Sequence, residues 1–218
     1  MDWLLLRSLG KPEQAAVLAV ASRLRYRRGD VLFHEGDLGD SLHLLAAGRV
    51  AVRTNTPDGD TVTYAVLGPG EAFGELALLA LDHRRTATVV ALEPVETLVF
   101  RREQFERVRQ RHPGVDRMLV EILAQRVRRL SAHLVEALYV PVDKRVVRRL
   151  LALCRQYAGN GVSRVSLPLT QSELAEMAGA TRPTVNKVLR TLEDAAVIGL
   201  ARGSIEVLDR EMLRRHAR

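Results

Sequence analysis

The sequence predicts an α+β chain of three parts: an N-terminal β-roll, a long helix, and a C-terminal winged helix-turn-helix. Three patterns carry this expectation. Short runs of period-two apolar alternation, punctuated by glycines, extend from residue 24 to 100. A heptad stripe follows from about Pro113 to Leu138, and two short amphipathic segments after Thr170 flank Gly179. These patterns place the parts at 1–112 for the roll, 113–139 for the helix and hinge, and 140–218 for the C-terminal domain.

Within the roll, the clearest strands are Val31-Leu32-Phe33, Leu42 to Leu45, Val50-Ala51-Val52, Val62 to Val66 and Thr97 to Phe100, with a hairpin turn at Pro57-Asp58-Gly59. Helical periodicity is expected there only after Gly74. In the long helix Val120, Leu123, Val127, Leu130, Leu134 and Ala137 recur at intervals of 3, 4, 3, 4 and 3, the spacing of a two-stranded coiled coil. Such a seam predicts a homodimer, while Met118, Leu119 and Ile122 pack toward the roll. Tyr139-Val140-Pro141-Val142 ends the helix as a hinge, because proline disfavours helical geometry in the residue before it. Asp143 is the expected N-cap of the next helix, with Arg145, Arg148 and Arg149 on its outer face and Gly159-Asn160-Gly161 as its stop.

Thr170 and Glu173 form a capping box, and the first helix of the pair runs from Gln171 to Ala178. Gly179 suits a left-handed turn, Thr181 caps the second helix, and Pro183 is tolerated in its first turn. Val185, Val188, Leu189 and Leu192 form the buried face. That leaves Arg182, Thr184, Asn186, Lys187 and Arg190 outward, where Arg182 and Lys187 suit base edges and Thr170 and Thr184 suit phosphates. Leu200 to Val207 is the wing, with Arg202 at the backbone. Residues 111–218 hold 19 Lys+Arg against 11 Asp+Glu, whereas residues 1–110 hold 14 against 15, so the basic half is the half with the helix-turn-helix. Double-stranded DNA with a two-fold site is the partner this implies.

Gly74-Glu75-Leu76, followed ten residues after Glu75 by Arg85-Thr86-Ala87, is the ligand cassette. Gly74 allows close backbone approach, Glu75 accepts from a ribose hydroxyl, Arg85 pairs with a cyclic phosphate, and Thr86 adds a hydroxyl. A small anionic effector, cAMP or cGMP, fits this set. The same residues also allow a degenerate pocket in which Glu75 and Arg85 pair with each other.

One cysteine, Cys154, cannot form an intramolecular disulfide or hold an iron–sulfur cluster alone, and is expected to be a buried thiol. The six histidines show no zinc spacing, so no metal, haem or cluster is expected. No apolar run reaches the roughly 20 residues of a membrane span, and Met1 to Arg7 lacks a basic start and a cleavage site. The chain reads as cytoplasmic. His34-Glu35 and Asp82-His83 are acid–base pairs without a nucleophile or an ordered partner, which leaves a hydrolase or an enzyme's regulatory subunit as the remote alternative.

With these residues in place, the chain resembles the CRP/FNR superfamily of bacterial transcription regulators over essentially its whole length, and in particular its cyclic-AMP receptor branch. Counted without gaps from Gly74 to Arg145, the resemblance places Ser131 on the serine that reaches the nucleotide across the dimer, and Leu130 where a threonine meets the adenine amine. Leu130 therefore leaves cAMP and cGMP both open, and Thr86 stands where the receptor has serine. Arg182 and Lys187 match base-reading positions, whereas Pro183 replaces a glutamate that accepts from cytosine. The resemblance implies an operator with a guanine in each half, and RNA polymerase as a partner. The cysteines of the oxygen-sensing branch and the haem-ligating cysteine of the carbon-monoxide branch are absent.

Overall fold

The computed structural model describes residues 10–158 and 164–217; the Met1–Arg7 and Gly159-Asn160-Gly161 expectations lie outside them. The contacts divide the chain into two units. One takes the residues up to Thr54 with Ala65–Ser131, and the other takes Asn55–Tyr64 with Ala132–Arg218.

The first unit is built on two antiparallel sheets. Strands β1 (Ser22–Tyr26), β8 (Val95–Arg101), β3 (Ser41–Ala47) and β6 (Ala72–Phe73) lie in the order β1-β8-β3-β6. Strands β2 (Val31–Phe33), β7 (Thr88–Ala91), β4 (Val50–Asn55) and β5 (Thr61–Leu67) lie in the order β2-β7-β4-β5. The five strands read from the sequence fall within β2, β3, β4, β5 and β8. The turn at Pro57-Asp58-Gly59 is present, with Gly59 at φ 89° and its N–H donating to the Thr56 carbonyl at 2.9 Å.

β3 is buried on both faces. Leu42, Leu44 and Ala46 join Leu98 and Phe100 in one apolar cluster with Phe105 and Val108 of α3 (Arg102–Arg111) and Val115, Met118, Leu119 and Ile122 of α4 (Gly114–Tyr139). Ser41 and His43 alternate to the other face, where His43 stacks on Phe73 at 5.0 Å between ring centroids. Two helices were not anticipated, α1 (Lys11–Ala19) and α3. Each buries only one or two apolar side chains, Val17 in α1 and Phe105 with Val108 in α3, too few to show a helical period in a charged stretch.

α4 ends at Tyr139, before Pro141, as expected. Met118, Leu119 and Ile122 are buried against the roll, while Val120, Val127, Leu130 and Leu134 are more than half exposed. In the second unit α5 (Val142–Tyr157) starts earlier than expected. Pro141, not Asp143, is its N-cap, because the proline's φ of −53° already suits the helix and its carbonyl accepts from the Arg145 N–H at 3.0 Å. Asp143 sits in the first turn instead. Cys154 is free and fully buried on the apolar face of α5. Arg148 is exposed, but Arg145 and Arg149 are not outward: both turn back onto neighbouring helices.

The helix pair is α6 (Gln171–Ala178) and α7 (Arg182–Asp194). Thr170 Oγ1 accepts from the Glu173 N–H at 3.2 Å and Glu173 accepts from the Thr170 N–H at 2.7 Å, the reciprocal cap read from sequence. Gly179 sits at φ 58°, the left-handed turn position. Val185, Leu189 and Leu192 are buried and Val188 is half-buried. β10 (Ile198–Ala201) and β11 (Ser204–Val207) make the wing, and an unanticipated third strand, β9 (Val165–Leu167), pairs with β11. A last helix, α8 (Arg210–His216), was also not anticipated; Asp209 caps it by accepting from the N–H groups of Glu211 and Met212. Among the described residues no helix is long and apolar enough to cross a membrane.

Candidate effector pocket and nucleic-acid interface

Gly74 lies between β6 and the short helix α2 (Glu75–Leu79) at φ 87°, a backbone state that side chains other than hydrogen disfavour. A Cβ at that position would lie 2.5 Å from Arg85 Nη1 and 2.9 Å from the Ser41 carbonyl oxygen. Glycine is therefore required both for the turn and for the approach of the arginine.

Arg85 is 5% exposed. Its Nη1 donates to the carbonyls of Ser41 at 2.8 Å and Gly74 at 3.2 Å, and its Nη2 donates to Ser41 Oγ at 2.8 Å. The guanidinium carbon stands 4.1 Å from the centroid of the Phe33 ring. Its Nε is buried without a partner, and among the described residues no carboxylate forms an ion pair with it. Burial pushes its pKa down, opposed at longer range by Asp40, Asp37 and Glu75. An interior cation held only by neutral oxygens costs free energy, and an anion that reaches it offsets that cost.

Ser41 is held in turn by His43, whose Nε2 lies 3.3 Å from Ser41 Oγ. Arg85 donates to the same hydroxyl, and His43 Nδ1 is buried without a partner. Burial, with Arg85 adding to it, pushes the His43 pKa down from 6.5 to about 3. The unfolded chain takes up a proton here below the ordinary value, and the folded chain does not until near the lowered one. Stability is therefore expected to fall as pH drops through that window, by on the order of 1 kcal/mol per pH unit, with no contribution above it. Denaturant titrations of His43→Phe between about pH 6 and pH 4 should show a shallower decline than the wild type. An equal decline would mean that His43 does not stay neutral.

Glu75 is 2% exposed and does not pair with Arg85. Its partner is Arg126 of α4, at 3.4 Å, which also donates to the Ala72 carbonyl at 2.8 Å. One helical turn on, Arg129 meets Glu71 at 2.5 Å. Sequence reasoning missed both arginines. The available signal was Ile122: Arg126 follows the buried Ile122 by four residues and so shares its roll-facing side. Leu76 and Thr86 are exposed beside the cassette, and Ser131 is exposed on α4 five residues beyond Arg126. The structure thus joins Gly74, Glu75 and Arg85 with Ser41 and Arg126, and leaves Leu76, Thr86 and Ser131 with free side-chain surface.

On the second unit, Thr181 caps α7 by accepting from the Thr184 N–H at 3.4 Å, and the two threonine hydroxyls lie 2.9 Å apart. Arg182 and Lys187 are exposed on α7, and among the described residues neither is in an ion pair. Arg190, in contrast, pairs with Glu193 at 2.7 Å. Asn186 Nδ2 donates to Gln171 Oε1 at 2.9 Å, fixing the two amides together across the helix pair. Thr170 Oγ1 donates to Glu173 at 3.0 Å, so its hydroxyl proton is already engaged in the cap. Arg202 is exposed in the turn of the wing.

Two families match the chain: the cyclic nucleotide-binding domain over residues 23–112 and the Crp-like helix-turn-helix domain over residues 144–216. The cyclic AMP receptor protein of Thermus thermophilus is 36% identical over 212 residues, covering 96% of this chain and 94% of that protein. A CRP-like cAMP-activated global transcriptional regulator of Mycobacterium tuberculosis is 31% identical over 211 residues, with 94% of each covered. In fold, the chain is similar to the c-di-GMP responsive regulator CLP of Xanthomonas campestris, at a TM-score of 0.77 and 22% identity, covering 91% of this chain and 99% of that one. With both domain families matched in order and relatives aligned along nearly its full length, the chain belongs to the CRP/FNR family of DNA-binding transcription regulators.

Proposed function

We propose that this regulator is a homodimer whose DNA affinity is set by a cyclic nucleotide, cAMP or cGMP, bound in the roll. The observation that carries the reading is Arg85, a buried cation with no carboxylate partner and an unsatisfied Nε. Arg85 and Thr86 take the phosphate, Gly74 and Leu76 bound the approach, and Glu75 accepts from the ribose while Arg126 holds it in place. Ser131 contributes from α4. Since α4 is one uninterrupted helix from Gly114 to Tyr139, a ligand that favours one arrangement of its paired seam biases the hinge at Val140-Pro141 and the helix pair beyond it. The roll, the helix with its hinge and the winged domain act as three parts with boundaries near 112 and 139. Thr170, Gln171, Thr181, Arg182, Thr184, Asn186, Lys187 and Arg202 face the DNA. RNA polymerase is the partner through which such a factor acts, and the cytoplasm is where it meets DNA.

Titration calorimetry with cAMP, cGMP and cyclic di-GMP as separate ligands tests this. Saturable binding of cAMP or cGMP supports the reading; heat from cyclic di-GMP alone, or from none, contradicts it. A second reading draws on the same atoms: three of the four Nη N–H groups of Arg85 are already taken by Ser41 and Gly74, and Glu75 is already paired. In that case the pocket is a relic and DNA binding is constitutive.

The exposed Val120, Val127, Leu130 and Leu134 supply the dimer seam. Leu134→Glu puts a carboxylate into that apolar contact in each protomer and is expected to yield a monomer in sedimentation analysis, where the wild type is a dimer. A dimer that persists with Leu134→Glu places the interface elsewhere.

A further inference from the structure

We infer that Arg149, anchored by Glu136, is a positioning residue for DNA recognition that ties the end of the dimerisation helix to the turn of the helix-turn-helix. Arg149 stands on α5, and its guanidinium uses all three nitrogens on two other elements. Nη2 donates to Glu136 and Nη1 to His133 Nε2 at 3.1 Å, both on the last two turns of α4. Nε donates to the Met177 carbonyl at 3.0 Å, at the C-terminal end of α6. One turn earlier on the same face of α5, Arg145 repeats the bridge: Nη1 donates to the Ala137 carbonyl at 3.4 Å and Nη2 to the Gly179 carbonyl at 3.2 Å.

Met177 and Gly179 bracket the end of α6, where helix carbonyls lack intrahelical N–H donors and the dipole favours a cation. The planar fork of arginine reaches acceptors in several directions at once, which a lysine ammonium on a flexible stem does not. The Glu136 side chain is 11% exposed and that of Arg149 20%, so the pair is sheltered from solvent screening. α7 follows α6 after the Gly179 turn, so a fixed angle between α4 and α6 fixes where α7 points. In a dimer joined along α4, that angle sets the separation of the two recognition helices, which must match successive major grooves. The three guanidinium nitrogens of Arg149 are all engaged on α4 and α6, so its proposed role is through geometry and not through contact with DNA.

The inference rests on the dimeric reading of α4. Its test uses a duplex selected by the full-length wild-type protein from a random pool, with the effector found by calorimetry present if there is one, and the isolated half-site cut from that duplex. Wild type should prefer the two-half-site duplex strongly; equal affinity for both would sink the dimeric reading itself. Arg149→Met is expected to lose about tenfold or more on the two-half-site duplex while staying within about twofold of wild type on the half-site. Arg149→Lys should not restore the loss. Glu136→Gln, which preserves shape, should give a smaller loss of the same kind and little additional loss when combined with Arg149→Met. If Arg149→Met fails to fold, Glu136→Gln carries the comparison. Unchanged affinity on both duplexes, or equal losses on both, would overturn the positioning role.

Discussion

Arg85→Ala is expected to weaken cyclic-nucleotide binding by about a hundredfold or more, roughly 3 kcal/mol, and to remove any effect of the nucleotide on DNA affinity. A charge-assisted bond between guanidinium and phosphate is among the stronger polar contacts, and at Arg85 the proposed bond would form in an interior site sheltered from water. Among the described residues the side chain has no carboxylate partner, and the nearby buried Glu75 keeps Arg126, so its removal leaves no unpaired counter-charge behind. The fold should therefore survive: burying the guanidinium is itself unfavourable, and what is lost are three hydrogen bonds to Ser41 and Gly74. Arg85→Lys keeps the charge without the fork and should fall between the two. Calorimetry reads the affinity, and thermal unfolding shows whether the roll is intact. Nucleotide-dependent DNA binding that survives Arg85→Ala would place the effector elsewhere.

Arg182→Ala is the second large effect, and its signature is a change in sequence preference. Arg182 opens α7 just past the Thr181 cap, exposed and outside any ion pair among the described residues, so both its charge and its fork are available to a base edge. A bidentate contact to guanine O6 and N7 contributes roughly 1–3 kcal/mol of discrimination per half-site. Selection from random duplexes should accordingly lose its guanine at one position in each half-site. Arg202→Ala is the contrast. A wing arginine at the backbone should weaken binding about equally for all sequences and lower the salt slope by about one. If Arg182→Ala weakens every sequence alike, Arg182 is a phosphate contact and the base reader lies further along α7, at Lys187.

Much of this architecture could be read from residues. The end of α4 before Pro141, the Thr170–Glu173 cap, the Gly179 turn and the wing each rest on local chemistry, and local chemistry is visible along a chain. The misses share a cause. α1 and α3 carry one or two buried apolar residues each, so the roll supplies the packing that makes them helices and the sequence alone shows mostly charge. β9 and α8 gain their place by pairing with or docking on the wing domain, which is a tertiary effect. At the site, Gly74, Glu75 and Arg85 stood out because they cluster within a dozen residues. Ser41 and His43, which hold Arg85 from behind, lie more than forty residues upstream, and neither type marks a phosphate site. Arg126 lay hidden among the arginines of α4, and only the burial of Ile122 shows which of them faces the roll. Asp143 misled because an acidic residue is a good cap by type, while Pro141 set the backbone first.

The most direct test of ligand control is a gel-shift titration of the wild-type protein on its selected duplex, with and without whichever of cAMP or cGMP binds in calorimetry. Effector control predicts that saturating nucleotide raises operator affinity about tenfold or more, since the DNA-competent state must bind the nucleotide more tightly than the resting state does. Equally tight binding with and without nucleotide would contradict it, and would make the Arg85 pocket a relic on a constitutive regulator.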